Sequence, residues 1–270
     1  MRLGLGSYAC AWRIGVPGAD PPNPMDACGL IRHAAALGLS VVQMADNLPL
    51  ERLGGSELQR IREQAVAAGI DVELGTRGIG APHLRRYLEL CTYFGSPILR
   101  AVIDTATEHP SPEEVVHQLR PLLPQFERAD VLLALENHDR FDARTFAWIV
   151  SELGARQVGI CLDTVNSFGA LEGPEVVIDT LAPYVVNLHL KDFIIRRHPS
   201  MMGFEITGAP AGQGRLDVPR LLNTLREQDR DCNAILELWP APDARIEDTI
   251  AREEQWTVAS VQYLRTLIPQ

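Results

Sequence analysis

The sequence is poor in cysteine, and the cysteines it has follow no recognisable spacing. Five are scattered through 270 residues, and no two are separated as CxxC. This pattern disfavours a disulfide-bonded scaffold and a structural zinc site, and it is typical of proteins in a reducing compartment. We therefore expect a cytoplasmic protein.

The sequence also lacks long apolar segments. The N-terminal stretch MRLGLGSYACAWRIG has no extended apolar core of the kind that secretory signal peptides carry. No apolar run approaches the roughly 20 residues that a transmembrane helix needs. We expect neither a signal peptide nor a membrane partner.

Positive charge is in the minority. The chain has 25 Lys and Arg against 35 Asp and Glu, which gives a formal net charge of −10. Binding to a nucleic-acid backbone requires clustered basic residues, so this balance predicts no nucleic-acid partner. It still allows a small basic pocket for an anionic group on a small molecule.

The sequence does contain a regular alternation of short apolar runs and helical segments. Eight strands are predicted, at residues 2–8, 40–44, 71–75, 97–103, 131–136, 158–163, 185–191 and 233–238. Such alternation indicates a parallel sheet, and eight units in this length favour a closed barrel over an open doubly wound sheet. We predict a single (β/α)8 TIM barrel domain over residues 1–270, with a long polar loop at 192–216.

Four consecutive apolar runs of the second half end at or near a residue that can bind a metal. VLLALE ends at Glu136, VGICLD at Asp163 and NAILEL near Glu237, while VVNLHL contains His189. Any one of these could be a helix cap or a solvated charge. Together they lie at the end of a barrel where active sites are found. Three carboxylates and one imidazole suit Mn²⁺ or Mg²⁺, with Co²⁺ or Fe²⁺ as alternatives.

The last two strands show which way these side chains point. Asn187, His189 and Lys191 alternate with leucines, and Glu237 occupies the equivalent face of the next strand. A period of two places alternate residues on one face. If that face is the barrel interior, His189 and Glu237 point into the same mouth.

Several of these motifs resemble one enzyme family. LALENH, GICLDTVNS, NLHLKDF and AILELW are similar to motifs of the sugar phosphate isomerase/epimerase family of xylose isomerase-like barrels, and GAPAGQGRLD resembles its glycine-rich turn after strand seven. The resemblance covers the whole chain. It implies that Glu136, Asp163, His189 and Glu237 bind the metal and that Glu136 and Glu237 form an acid/base pair. Dimers and tetramers are common in this family, so a homo-oligomer is possible.

The activity implied by this resemblance is that of a metal-dependent isomerase or epimerase. Its substrate would be a keto-sugar or 3-oxo sugar derivative, and the reaction would pass through a metal-stabilised enediolate. Ketose 3-epimerases of the family carry a histidine three residues after the metal-binding aspartate, where this chain has Asn166. They also carry an arginine six residues after the metal-binding histidine, where this chain has Ile195.

These departures indicate an altered substrate and leave other functions open. One alternative is a lyase that decarboxylates a 3-oxo sugar acid on the same metal site. Others are an apurinic endonuclease-like barrel and a catalytically degenerate barrel that only binds sugar. The single strand-end histidine and the net charge of −10 argue against the endonuclease.

Further residues are candidates for substrate binding. Except for the asparagine, each has an alternative explanation, namely a solvated charge for the histidine and arginines, an ion pair for the lysine and packing for the tryptophan. The candidates are His138, Asn166, Lys191, Arg196, Arg197 and Trp12. Gln43, Asp46 and Asn47 could bind hydroxyl groups or form a turn. We expect Cys161 to be a packed thiol.

Overall fold

Eight parallel strands form a closed barrel at the centre of the computed structural model, which describes residues 1–269. Neighbouring strands follow chain order, and β1 closes the barrel against β10. The predicted (β/α)8 barrel is therefore confirmed. The barrel strands are β1 Leu3–Gly6, β2 Val41–Met44, β3 Asp71–Arg77, β4 Ile98–Val102, β5 Leu132–Glu136, β6 Val158–Asp163, β7 Val185–Leu190 and β10 Ala234–Leu236. Two further strands, β8 Asp192–Arg197 and β9 Phe204–Ala209, lie outside the barrel.

Helices surround the barrel. They are α1 Ala11–Ile14, α2 Ala27–Ala36, α3 Gly55–Ala68, α4 Ala81–Phe94, α5 Pro112–Leu119, α6 Leu123–Ala129, α7 Ala143–Leu153, α8 Pro174–Leu181, α9 Val218–Glu227 and α10 Ile246–Leu264. A capping box between Ser111 and Glu114 begins α5. The prolines that follow divide α5 from α6 through a 3-10 turn at Arg120–Leu122. Within residues 1–269, no helix is long and apolar enough to cross a membrane.

The segment at 192–216 differs from its prediction as a long loop. It contains an antiparallel hairpin formed by β8 and β9. The paired residues run from Asp192 opposite Ala209 to Arg197 opposite Phe204. The loop prediction was wrong because its glycines and prolines fall mostly at the hairpin turn and after β9. The strands themselves are rich in aromatic and β-branched residues, which favour extended structure.

The glycine-rich turn after the hairpin is wrapped around a buried carboxylate. Asp192 accepts hydrogen bonds from the backbone N–H groups of Gly212 and Gly214 at 2.9 Å and of Leu216 at 3.0 Å. A Cβ atom at position 214 would lie 2.0 Å from Asp192 Oδ1, so glycine is required there. These contacts fix the base of the hairpin directly after Lys191.

The segment after β1 is held by a buried carboxylate of α10. Glu253 is 2 % exposed and accepts hydrogen bonds from the backbone N–H groups of Trp12, at 2.9 Å, and Arg13, at 3.1 Å. Burial raises the pKa of Glu253 to about 7. Glu253 thus anchors the short helix α1, which carries Trp12, to the last helix of the barrel.

We predict that Glu253 makes the stability of the fold depend on pH. A carboxyl group with a pKa of about 7 in the fold and 4.5 in the unfolded chain stabilises the fold fully below pH 4.5. That contribution is lost as the pH rises through 7, and it amounts to about 3 kcal/mol at most. The variant Glu253→Gln lacks this titrating group and should not show the loss. The free energy of unfolding of the wild type minus that of the variant, measured in urea, should therefore decrease from pH 4.5 to pH 8.

The matched control is Glu247→Gln, which changes an exposed carboxylate on the same helix. Its stability difference from wild type should stay constant over this pH range. A constant difference for Glu253→Gln as well would contradict the prediction.

Candidate metal centre

Four side chains meet at the carboxyl ends of neighbouring strands. Glu136 ends β5, Asp163 ends β6, His189 lies on β7 and Glu237 follows β10, and all are fully buried. His189 Nδ1 lies 3.3 Å from Glu136 Oε2, 3.9 Å from Asp163 Oδ2 and 3.5 Å from Glu237 Oε2. The structure therefore brings together the four residues that the sequence indicates as ligands.

The atoms that face one another here lack ordinary hydrogen bonds. His189 Nδ1, Asp163 Oδ2 and both Glu237 oxygens are buried without a hydrogen bond of good geometry. Lys191 Nζ forms ion contacts, at 2.7 Å from Asp163 Oδ2 and 2.9 Å from Glu237 Oε2. Unpaired buried carboxylates cost several kcal/mol, so a set of orphaned oxygens and one nitrogen fits a divalent cation.

Asp163 is oriented by the turn that follows it. Its Oδ1 accepts hydrogen bonds from the backbone N–H groups of Val165 at 2.8 Å and Asn166 at 2.9 Å. These bonds occupy one oxygen and direct Oδ2 toward His189 and Lys191. The sequence DTVN therefore builds both the turn and the ligand.

A chain of amides beneath the site fixes the His189 ring. Gln43 donates its Nε2 protons to Glu73 and Asn187, each at 3.0 Å, so its Oε1 faces His189 Nε2 at 2.6 Å. An amide oxygen only accepts, so His189 Nε2 carries the proton. The lone pair of Nδ1 is then directed at the carboxylates, which is the arrangement typical of a metal-binding histidine.

Glu136 is held on both oxygens. Arg100 Nε donates a hydrogen bond to Glu136 Oε2, and Asn166 Nδ2 donates one to Oε1 at 2.7 Å. Burial opposes ionisation and is the largest single influence, but the Arg100 guanidinium and the other cationic neighbours together outweigh it and lower the pKa of Glu136 to about 2. Glu136 is therefore a fixed, ionised carboxylate.

Glu237 is held far less tightly than Glu136. Its oxygens receive the ion contact of Lys191 and no hydrogen bond of good geometry. A Cβ atom at position 6 would lie 2.9 Å from Glu237 Cγ and 3.1 Å from its Oε1, so Gly6 on β1 leaves the space this side chain occupies. The two glutamates are thus chemically unequal.

Cys161 lies next to the ligands but is not suited to join them. Its Sγ is within 4.8 Å of ligand atoms of Glu136 and His189, and it donates to Asn187 Oδ1 at 3.4 Å. Burial raises the pKa of Cys161 well above its ordinary value. Metals bind the thiolate, so this geometry favours the packed thiol that we expect from the sequence.

Two of the predicted substrate-binding residues adjoin the ligands. Asn166 contacts Glu136, and Lys191, whose side chain is 12 % exposed, contacts Asp163 and Glu237. Burial alone would lower the pKa of Lys191, but the two carboxylates raise it above its ordinary value. Lys191 therefore keeps its ammonium charge inside the mouth.

Two others lie at partly exposed positions near the mouth. The side chain of His138, two residues after Glu136, is 30 % exposed and pairs with Asp139. The Trp12 indole Nε1 donates to the carbonyl of Pro240 at 3.0 Å, which ties the segment after β1 to the segment after β10. Their roles toward a substrate stay predictions.

Arg196 and Arg197 are placed on the exposed part of β8. The Arg197 guanidinium carbon lies 4.4 Å from the centre of the Phe204 ring, and Arg196 pairs in register with Glu205. At roughly 3.3 Å per residue, Arg196 is about 16 Å along an extended strand from Lys191. The structure does not bring these arginines to the four buried ligands.

Sequence reasoning missed Arg100, which contacts a predicted ligand directly. It is 2 % exposed on β4 and binds Asp46 Oδ1 through Nη1 at 2.9 Å in addition to Glu136. The available signal was a charged residue within the otherwise apolar run ILRAV. Gln43, which the sequence suggests as a hydroxyl ligand or turn residue, instead supports His189.

Comparison with known proteins identifies the family. The model of the xylose isomerase-like TIM barrel family matches residues 31–267. The chain belongs to this family. This finding confirms the resemblance on which the sequence analysis relied.

The relatives of this family member include named enzymes. A 3-oxo-isoapionate decarboxylase from Pectobacterium atrosepticum is 37 % identical over 269 residues, which cover 100 % of this chain and 97 % of the relative. A D-psicose 3-epimerase from Clostridium cellulolyticum, solved with D-tagatose, has a TM-score of 0.74 at 15 % identity and covers 99 % of each chain. A Mycobacterium smegmatis barrel solved with magnesium has a TM-score of 0.69 at 14 % identity and covers 96 % of each chain.

We predict that Mn²⁺ stabilises the protein through these four residues. At a hundredfold excess over Kd, bound metal should raise the melting temperature by about 5 °C. Asp163→Asn keeps an oxygen for the two backbone N–H groups but removes a charge. The metal-free variant serves as its own reference for the melting temperature, and it should lose the Mn²⁺ shift.

The control for this experiment is His198→Gln, in the exposed turn of the hairpin. It should retain the full shift in differential scanning calorimetry. If Asp163→Asn gains as much stability from Mn²⁺ as the wild type does, the ion binds elsewhere.

Proposed function

We propose that the protein is a divalent-metal-dependent decarboxylase that acts on a 3-oxo sugar acid. The observation that carries this proposal is the inequality of the two glutamates, since Glu136 is bound on both oxygens and Glu237 is not. Decarboxylation needs a single acid, whereas epimerisation needs two groups that exchange protons. The 37 % identity to a named 3-oxo-isoapionate decarboxylase over the full chain supports the same choice.

The proposed reaction releases CO₂ and consumes one proton. The bond between the carboxylate and the neighbouring carbon breaks, CO₂ leaves, and the electron pair moves to the 3-oxo group to give an enolate. A proton then adds to the carbon, which yields the ketone. Mn²⁺ or Mg²⁺ held by Glu136, Asp163, His189 and Glu237 would polarise the carbonyl and stabilise the negative charge on its oxygen.

Glu237 is the proposed acid for the last step. The proton would reach Glu237 from solvent by way of Lys191, whose Nζ lies 2.9 Å from Glu237 Oε2 and whose side chain is 12 % exposed, so Lys191 would be charged again after each transfer. Lys191 also offers a positive charge to the anionic substrate. Complete burial of the ligands excludes bulk water, which strengthens both interactions.

Isomerisation or epimerisation of a keto-sugar is the second candidate. It is favoured by the presence of two glutamates in one site, at 3.3 Å and 3.5 Å from the same His189 nitrogen. For this activity Glu136 would have to release Arg100 or Asn166 before it could exchange a proton. An endonuclease has less support, because His189 is the one histidine in the clusters able to hold a metal within residues 1–269.

The two candidates differ in what they release. With Mn²⁺, D₂O and a panel of 3-oxo sugar acids and keto-sugars, we expect CO₂ from an acid and one deuterium at the carbon that carried the carboxylate. Evolved CO₂ and NMR of the product provide the measurements. Deuterium incorporation into a keto-sugar without CO₂ release would instead establish the epimerase or isomerase.

Substitution of the two glutamates should have different consequences. Glu237→Gln should lower kcat by about 10²- to 10⁴-fold even at saturating Mn²⁺, because the acid is lost. Glu136→Gln should mainly weaken Mn²⁺ binding, so excess metal should restore most of kcat. Equal residual kcat in both variants at saturating metal would contradict the single-acid mechanism.

A further inference from the structure

We propose that Arg100 is the positioning residue of this site, in that it holds the carboxylate of Glu136 in the orientation of a metal ligand. The proposal rests on the metal site of the proposed function. Arg100 does not touch the orphaned atoms of His189, Asp163 or Glu237 directly; it acts through Glu136.

The guanidinium of Arg100, on β4, contacts residues on or just after three other strands. Nε donates to Glu136 Oε2 on β5, and Nη1 donates to Asp46 Oδ1, two residues after β2, at 2.9 Å. Nη1 also lies 3.3 Å from the carbonyl oxygen of Thr76 on β3. The direction of Nε toward Glu136 is therefore fixed by contacts on the far side of the same planar group.

The barrel is shaped to accept this side chain. A Cβ atom at position 75 would lie 3.3 Å from Arg100 Cδ and 3.2 Å from Ala45 Cα, so Gly75 leaves the passage through which the arginine crosses β3. Arg100 is itself 2 % exposed. A buried cation is costly unless it is paired, and here carboxylates of Glu136 and Asp46 bind Nε and Nη1 of Arg100.

The outer anchor of Arg100 is also held in place. Asp46 Oδ2 accepts a hydrogen bond from the Tyr8 hydroxyl at 3.0 Å and lies 3.4 Å from Arg77 Nε. Asp46 therefore has each oxygen committed to a different partner. A chain of fixed contacts thus runs from the rim of the barrel, through Asp46 and Arg100, to Glu136.

Lysine cannot reproduce this arrangement. Its single ammonium carries the same charge but lacks the planar fork that reaches two carboxylates on opposite sides. Arg100→Lys therefore preserves the charge while it removes the orientation of Glu136. A role in charge balance alone predicts little change in this variant, whereas a positioning role predicts a large one.

The decisive experiment compares metal binding in wild type, Arg100→Lys and Arg220→Met. Arg220 forms an exposed ion pair with Asp179 between α9 and α8, which makes its variant a control for general loss of an arginine. Calorimetry gives the Mn²⁺ Kd, and the visible spectrum of bound Co²⁺ reports the ligand geometry. Urea unfolding of the metal-free proteins measures the structural contribution separately.

We expect Arg100→Lys to bind Mn²⁺ about 10- to 100-fold more weakly and to change the Co²⁺ spectrum, as loss of a ligand's supporting partner does. Arg220→Met should match the wild type in both. A lower urea midpoint with unchanged Mn²⁺ Kd and Co²⁺ spectrum would show that Arg100 is structural and would overturn the inference. Failure of the wild type to bind Mn²⁺ would instead refute the metal site.

Asp46→Asn provides a second test should Arg100→Lys not fold. It removes the charge that anchors Nη1 and leaves Arg100 and Glu136 in place. A Mn²⁺ Kd weakened by roughly 10-fold supports the positioning role. A Kd equal to that of the wild type contradicts it.

Discussion

Burial of like charges is the constraint on which this site depends. Glu136, Asp163 and Glu237 surround one imidazole and are fully buried, so water does not screen their mutual repulsion. Arg100 and Lys191 supply two positive charges for the three carboxylates. The side chains alone therefore leave the cluster anionic, which favours the binding of a cation. Oxygen-rich ligands of this kind match a hard cation.

The side chains that orient His189 and Glu136 come from different strands of the barrel. Gln43 of β2 fixes the ring of His189 on β7, across the barrel interior. Arg100 of β4 and Asn166, which follows β6, hold Glu136 from either side. A parallel barrel places all strand ends around one mouth, so residues far apart in the chain become direct neighbours. The grouping of the candidate ligands and of the residues that orient them is thus a consequence of one topology.

Much of the fold and the grouping of the four candidate ligands was predictable from the sequence, because each depends on local periodicity. Alternation of short apolar runs with helical segments predicts the barrel, and polar residues at or near the ends of those runs predict that Glu136, Asp163, His189 and Glu237 meet at one mouth. Arg100 could not be assigned a partner in this way, since the contact with Glu136 depends on the approach of β4 to β5. The hairpin β8–β9 is not predicted, because the glycines and prolines of this segment favour a loop. In the structure they lie mostly at the turn and the end of the hairpin.

Glu136 is held more firmly than Glu237, and this difference favours one reaction over the other. The ketose 3-epimerases that this chain resembles use such a pair on opposite faces of the substrate. Here Asn166 stands where those enzymes have a histidine, and its amide binds Glu136 Oε1 at 2.7 Å. Arg100 occupies the other oxygen, so proton exchange at Glu136 would require the loss of one of these two buried hydrogen bonds. In the proposed decarboxylation, loss of CO₂ would generate the enolate without removal of a proton by the protein, so Glu237 alone would be sufficient.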